Sequence, residues 1–255
     1  MDENSRGVEV SLIFPAHNEA EKIEWAVRRA IEALKNITRS YEIIIAEDGS
    51  TDGTDKIASR LSEKYSSVRH FHSDKRLGKG GAIKRASKKC KGRIIAFMDV
   101  DLATDIKHLK ELIQTIRDGY DFAMGSRMLP ESKAERTISR AIASSVYNLM
   151  VRLFFRTGIR DHQCGFKSFR RSALLSVLDD VKADHWFWDT ELLVRASKRG
   201  YTIKEFPVEW RHTGETKVNL LRDSIDMITQ VLKLWWKINS PRLLGKIKKQ
   251  SSSRR

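Results

Sequence analysis

Through the first half of the chain, short β-branched apolar runs alternate with longer stretches whose apolar residues recur every three or four positions. Val8–Phe14, Tyr41–Ala46, Val68–His72, Arg93–Met98 and Asp121–Gly125 read as strands. The segments near Glu21–Leu34, Thr54–Lys64, Gly80–Cys90 and Ile106–Arg117 carry helical spacing; in the third, Ala82, Ile83, Ala86 and Cys90 share one side. This β-α-β-α order predicts an α/β fold with a mostly parallel central sheet flanked by helices. Ligands of such sheets sit at the carboxyl ends of the strands, so the residues just after each strand are the first candidates for chemistry.

The second half has a different rhythm. Ile138, Ala141, Ile142, Ser145, Val146, Leu149, Leu153 and Phe154 form a helical stripe. A strand at Gly165–Phe169 leads into a helical region through Leu178. An aromatic and acidic cluster, Trp186–Glu191, precedes a helix to Lys198 and a strand near Ile203–Val208. Leu221, Ile225, Ile228, Leu232 and Trp235 mark a last amphipathic helix, followed by Lys237, Arg242, Lys246, Lys248, Lys249, Arg254 and Arg255 without an acidic residue. Charges interrupt both Ile138–Phe155 and Val218–Ile238, which argues against a spanning helix, and the polar start MDENSRGVEV predicts no secretory signal peptide.

Composition narrows the class. With 255 residues, 40% hydrophobic and 32% charged, the chain is globular rather than disordered. Lys+Arg of 48 against Asp+Glu of 33 gives a net charge of +15, which predicts an anionic partner: nucleic acid, an acidic membrane surface or a phosphorylated substrate. No groove-reading motif or aromatic-basic sheet signature is present, so nucleic acid is not expected. Two cysteines, Cys90 and Cys164, make no disulfide framework and fit a reduced, cytosolic setting.

The sharpest candidate chemistry is Asp99-Val100-Asp101, at the end of the apolar run Ile94–Met98. Two carboxylates two residues apart at a strand end can hold one hard divalent cation against phosphate oxygens; equally, an Asp here can cap the next helix, as can Thr104 or Asp105. The turn Glu47-Asp48-Gly49-Ser50-Thr51-Asp52-Gly53-Thr54 offers Asp48 and Asp52 as acceptors for a base, a ribose or backbone amides, with Asp52 as N-cap the plainer reading. Leu77-Gly78-Lys79-Gly80-Gly81 brings a cation and amides to a helix start but lacks P-loop spacing.

Pro15-Ala16-His17-Asn18-Glu19, the Glu47–Thr54 turn and Asp99-Val100-Asp101 follow successive apolar strands, and in that order they resemble the nucleotide-sugar domain of inverting family 2 glycosyltransferases. Gly125-Ser126-Arg127, the run Gly158–Lys167 (GIRDHQCGFK), Trp186–Leu193 (WFWDTELL) and Arg211–Lys217 (RHTGETK) narrow the resemblance to polyprenyl-phosphate sugar synthases, and within these to dolichyl-phosphate glucose synthases. The resemblance implies a GT-A-type Rossmann-like domain over residues 1–217, with a lipid-acceptor helical region at about 130–157. The amphipathic pattern and basic charge of residues 218–255 point to a helix and tail for membrane-surface attachment; the alternative is that the faces of Ile138–Phe155 and Leu221–Trp236 pack within the domain or in a dimer.

The resemblance also implies an activity: metal-dependent, inverting transfer of a hexose from a nucleotide-sugar donor, UDP-glucose, to a polyprenyl or dolichyl phosphate, with Mg²⁺ or Mn²⁺ as cofactor. GDP-mannose as donor, and a non-catalytic nucleotide-sugar binder, are the alternatives. Pro15, His17, Glu19, Ala46 and Asp48 are expected around base and ribose; Asp99, Val100 and Asp101 at the sugar diphosphate, with Asp99 and Asp101 as metal ligands. Arg127, Arg211 and Lys217 are expected at the donor diphosphate, with Arg127, Arg136 and Ser139 at the acceptor phosphate. Asp101, Arg127, Arg211 and Asp189 form the implied catalytic set. Ala103 stands where the mannose branch carries a glutamine beyond its metal motif, and His17 where tyrosine is commoner. The implied setting is the cytosolic face of a membrane, attached peripherally, with a homo-oligomer allowed.

Overall fold

The computed structural model describes residues 7–211 and 226–240. Its strands are β1 (Val10–Ala16), β2 (Tyr41–Glu47), β3 (Val68–Phe71), β4 (Ile94–Met98), β5 (Phe122–Ser126), β6 (Lys133–Ala134), β7 (Phe166–Arg170), β8 (Ile203–Pro207) and β9 (Glu209–Trp210). The helices are α1 (Ile23–Lys35), α2 (Thr54–Lys64), α3 (Lys79–Ser87), α4 (Leu109–Arg117), α5 (Ile138–Phe155), α6 (Arg171–Leu178), α7 (Trp188–Lys198) and α8 (226–240). Seven strands form one sheet in the order β3-β2-β1-β4-β7-β5-β8. Only β7 runs against its neighbours, pairing antiparallel with β4 and β5, so the sheet is mostly parallel as expected.

Alternation along each strand builds a core on both faces. Val10, Leu12, Phe14, Ile43 and Ile45 pack under α1, α2 and α4, while Ile13, Ile44, Ile95 and Phe97 pack under α3, α6 and α7. Because both faces are covered, β1, β2 and β4 read as continuous apolar runs. The stripe Ala82, Ile83, Ala86 and Cys90 is buried as its spacing predicts. Asp105 caps the 3₁₀ turn Ile106–His108 before α4, its carboxylate accepting from Lys107 N at 2.9 Å. Asp99 and Asp101 are therefore not the caps of that helix.

A third cluster joins α5, α7 and α8. Tyr147, Val151 and Phe155 pack against Phe187, Val194, Val231 and Leu234. The apolar stripe read along α5 lies on the opposite side: Ile138 is 80% exposed and Leu153 70%, with Ile142, Val146 and Leu149 also exposed. On α8, Ile228, Leu232 and Trp236 face outward as well. Among the described residues no helix is long and apolar enough to cross a membrane. Lys217, Leu221 and Ile225 lie outside the described residues.

Candidate active site

The loops after β1, β2 and β4 and the start of α3 converge at the carboxyl end of the sheet. Parallel pairing brings Ala16 beside Glu47, so the Pro15–Glu19 and Glu47–Thr54 loops are neighbours. His17 Nδ1 lies 2.8 Å from the Asp48 carbonyl, Glu19 N donates to Thr54 Oγ1 at 2.8 Å, and Ala20 N donates to Asp52 Oδ2 at 3.0 Å. Asp52 Oδ1 also accepts from Thr54 N and Thr54 Oγ1, so Asp52 holds the turn, but the N-cap position of α2 is Gly53 and not Asp52 as expected. Asp48 is buried, and its two carboxylate oxygens accept from Leu77 N at 2.5 Å and Gly78 N at 2.9 Å. It thus fastens the glycine loop to the end of β2. Gly78 has φ +82°, and a Cβ there would stand 2.4 Å from the Asp184 carbonyl, so this tight passage requires glycine. Pro15 is half-buried and Ala46 buried in the same rim.

From the glycine loop, Lys79 reaches across to the end of β4, where its Nζ lies 2.5 Å from Asp99 Oδ1. Burial opposes the charge on Lys79, but Asp99, Asp189 and Asp101 outweigh it and hold the ammonium above its ordinary range. Val100 is buried; Asp101 is half-buried, its Oδ1 accepting from Ala103 N at 3.0 Å. That leaves Asp101 Oδ2 without a hydrogen-bond partner among the described residues. Ala103 itself is buried, and its carbonyl accepts from Arg211 N at 2.8 Å, tying the loop to the chain beyond β9. Gly165 passes so close that a Cβ would fall 1.9 Å from Asp99 Oδ2, which is why the CGF segment carries glycine there.

The arginines and acids of the second half are more committed than sequence suggests. Arg127, expected at a phosphate, makes a bidentate pair with the fully buried Asp161: Nε to Oδ2 at 2.7 Å and Nη2 to Oδ1 at 2.8 Å, with Arg127 N adding a third bond. Burial would raise the Asp161 carboxyl, yet Arg127 overrides it and holds the group well below the usual range. Arg136 donates to the Arg127 carbonyl at 2.7 Å and to Ser144 Oγ at 3.1 Å; Ser139 is exposed on the first turn of α5. Arg211 is exposed, 3.6 Å from Glu135. Asp189 Oδ1 takes the buried Lys167 Nζ at 2.7 Å, and Glu191 binds Arg195 and the amides of Lys182 and Ala183. Cys164 is buried, its thiol pushed up to about 11 by burial, and His162 is buried between Asn148 and Thr157. Both are packing residues.

Sequence reading undervalued Lys79, Asp161 and Lys167. The Lys79 loop was visible as a motif, but its partner is 20 residues away; Asp161 and Lys167 lie inside the matched GIRDHQCGFK run, whose partners sequence does not name.

The profile of glycosyl transferase family 2 matches residues 11–178. A glycosyltransferase from Haloferax volcanii, AglD, is 48% identical over 245 residues, covering 94% of this chain; the chain spans 39% of the length of that relative. Dolichyl-phosphate β-glucosyltransferase of Dictyostelium discoideum is 31% identical over 252 residues, covering 91% of this chain and 77% of that protein. Among solved structures, glucosyl-3-phosphoglycerate synthase from Mycobacterium tuberculosis, in complex with Mn²⁺, UDP and glucosyl-3-phosphoglycerate, superimposes with a TM-score of 0.64 at 20% identity, over 90% of this chain and 79% of that one.

Proposed function

The chain belongs to glycosyl transferase family 2, and on that premise we propose that it transfers glucose from UDP-glucose, with inversion, to a polyprenyl phosphate of the dolichyl type. The observation that carries the reading is the meeting of four loops at one end of the sheet: Pro15–Glu19, Glu47–Thr54, Gly78–Lys79 and Asp99–Asp101, joined by Asp48 to Gly78 and by Lys79 to Asp99. Such relatives as dolichyl-phosphate β-glucosyltransferase support the donor and acceptor classes.

The donor set at the end of β4 suits a hard cation: two carboxylates, one with a free oxygen, beside an ammonium already drawn to the same spot. Asp99 and Asp101 would hold Mg²⁺ or Mn²⁺, which would supply charge neutralisation at the departing diphosphate. Lys79 adds a second positive charge there, and His17 with the Asp48 backbone lines the base end. Arg211 and Lys217 are assigned to the diphosphate.

The acceptor oxygen forms the new bond to the anomeric carbon as the bond to UDP breaks, and UDP leaves with the electron pair. A phosphate monoester is anionic near neutral pH, so the step needs orientation more than a general base. Asp189, held by Lys167, therefore acts as a positioning residue, and so does Arg127, whose carbonyl fixes Arg136. The start of α5 suits the acceptor phosphate: Arg136 and Ser139 stand at a helix N-terminus whose first turn carries no acidic residue. Ile138 and Ile142, exposed on that same turn and the next, continue the path for the isoprenoid tail.

The outward apolar faces of α5 and α8, with the basic run after α8, support peripheral attachment to the cytosolic face of an anionic membrane. Liposome flotation checks this. Leu153→Ser with Trp236→Ser, both exposed, is expected to move most of the protein from the floated to the soluble fraction while leaving nucleotide-sugar binding unchanged; equal flotation of variant and parent would reject the attachment.

The deciding experiment is a donor-by-acceptor assay with UDP-glucose, UDP-galactose, UDP-GlcNAc or GDP-mannose, a polyprenyl phosphate, and Mg²⁺, Mn²⁺ or EDTA. Metal-dependent glucosyl lipid is expected. A mannosyl lipid would reassign the donor, and donor binding without any lipid product would overturn the reaction.

A further inference from the structure

At the β3 edge of the sheet lies a cluster whose side chains have no role in the proposed transfer, although Glu47 begins one of the four loops of that site. Residues i and i+2 of a strand share a face, so His70 and His72 project together at the end of β3. The parallel register pairs Ile45 with His70, and Glu47, two residues on, falls on that same face. One ligand atom from each of Glu47, His70 and His72 lies within 4.8 Å of the other two. Glu47 is buried, with Oε1 accepting from Ser50 N at 2.5 Å and Oε2 2.5 Å from His72 Nδ1. On the far side of the ring, His72 Nε2 lies 3.0 Å from Asp74 Oδ1. A carboxylate on one imidazole nitrogen orients the other nitrogen, the usual arrangement behind a metal-bound histidine.

His70 supplies the independent observation. Its Nε2 is shielded from water and has no hydrogen-bond partner among the described residues. A buried ring nitrogen is ordinarily satisfied, so His70 carries an unpartnered ligating atom in a ring that neighbours Glu47 and His72.

We propose that Glu47, His70 and His72 form a site for a Zn²⁺-class ion, distinct from the Asp99–Asp101 pair. Two imidazoles and one carboxylate are the donor set of zinc rather than of magnesium, which prefers oxygen alone. Zinc bonds of 2.0–2.2 Å in tetrahedral geometry separate donor atoms by about 3.3 Å, so on loading the Glu47–His72 pair opens from 2.5 Å while His70 stays within or closes from the 4.8 Å spread. The proton shared between Glu47 and His72 leaves as the ion enters, and water takes the fourth position. Strand order separates the two sites: β4 lies two strands from β2 and three from β3, about 10 and 14 Å at ordinary strand spacing. Through Glu47 and Ser50, the ion clamps the sheet edge to the turn that carries Asp48.

The test uses the full-length chain without a histidine tag, stripped with a chelator, then titrated with Co²⁺ by visible absorption and with Zn²⁺ against a chromophoric chelator. One equivalent of Co²⁺ with tetrahedral-type bands is expected, retained in Asp99→Asn/Asp101→Asn. His72→Ala and Glu47→Gln are each expected to weaken binding by at least about tenfold. His72 is 45% exposed but is the partner of the buried Glu47 Oε2, so a thermal melt of metal-free His72→Ala beside the metal-free parent separates lost folding from lost binding and keeps the test decisive. Zn²⁺ should raise the Tm of the parent and not of His72→Ala. Tight binding that survives His72→Ala, binding lost only in Asp99→Asn/Asp101→Asn, or no cobalt band at all would overturn the site.

Discussion

Asp101→Ala is expected to lower transfer by about 10³-fold or more in kcat, with the fold intact. The stability side follows from what Asp101 touches: one turn hydrogen bond to Ala103 N, on a half-buried residue. Losing it costs about 1 kcal/mol, a Tm change of roughly 2–4 °C for a domain of this size. The activity side follows from charge. Removing a single preorganised group that stabilises developing negative charge costs about 10²–10³ in kcat, and a carboxylate that also retains the divalent cation removes more than its own share. Asp99→Ala is a less clean probe, because it also leaves Lys79 without its 2.5 Å partner. Steady-state turnover with purified lipid acceptor, beside a thermal melt of each variant, checks the prediction. Near-normal turnover by Asp101→Ala would remove the metal assignment from this pair.

How much of this was legible depends on whether a feature is local. The runs Val10–Ala16 and Ile94–Met98 are buried on both faces, so hydropathy alone located them, and the loops after them followed. The antiparallel course of β7 was not legible, because a strand's direction is decided by where its connections return, and neither Phe166 nor Phe169 encodes that. Two-residue strands such as β6 and β9 have no periodicity to read. The stripe on α5 was visible, but an amphipathic pattern states that two faces differ and not which one meets the protein. Here Tyr147, Asn148, Val151 and Phe155 turned inward and the more aliphatic face stayed out. Partners distant in sequence were the largest gap. Arg127 looked like a free phosphate ligand because Asp161 is 34 residues away, and a buried acid inside a motif does not announce its pair.

That pair carries the second large effect. Asp161→Asn is expected to destabilise the protein by about 3–5 kcal/mol, because it strands a nearly buried guanidinium without its counter-charge. At roughly 2–4 °C per kcal/mol, the Tm should fall by about 6–20 °C. The double variant Arg127→Met/Asp161→Leu should recover much of the loss, since replacing both charges removes the stranded one. The pH dependence has a definite sign. Asp161 titrates well below its unfolded value, so its contribution is present above pH ~4 and is lost as pH falls further. His162, pushed down to about 3 by burial, stays neutral while the unfolded ring takes up a proton below pH ~6.5. Between pH 6.5 and 3 the unfolded chain therefore binds one more proton at this ring, which by itself lowers stability on acidification by up to about 1.4 kcal/mol per pH unit, with Asp161 adding to the loss below pH ~4. Urea melts from pH 8 to 4 should show this slope, and His162→Gln should reduce it between pH 6.5 and 4.5, where Asp161 does not yet titrate and the half-buried His70 and His108, also pushed down by burial, supply the rest. An unchanged slope in His162→Gln would mean that the acid limb belongs to other groups, and an Asp161→Asn variant as stable as the parent would mean that Arg127 finds water or another acceptor in place of the carboxylate.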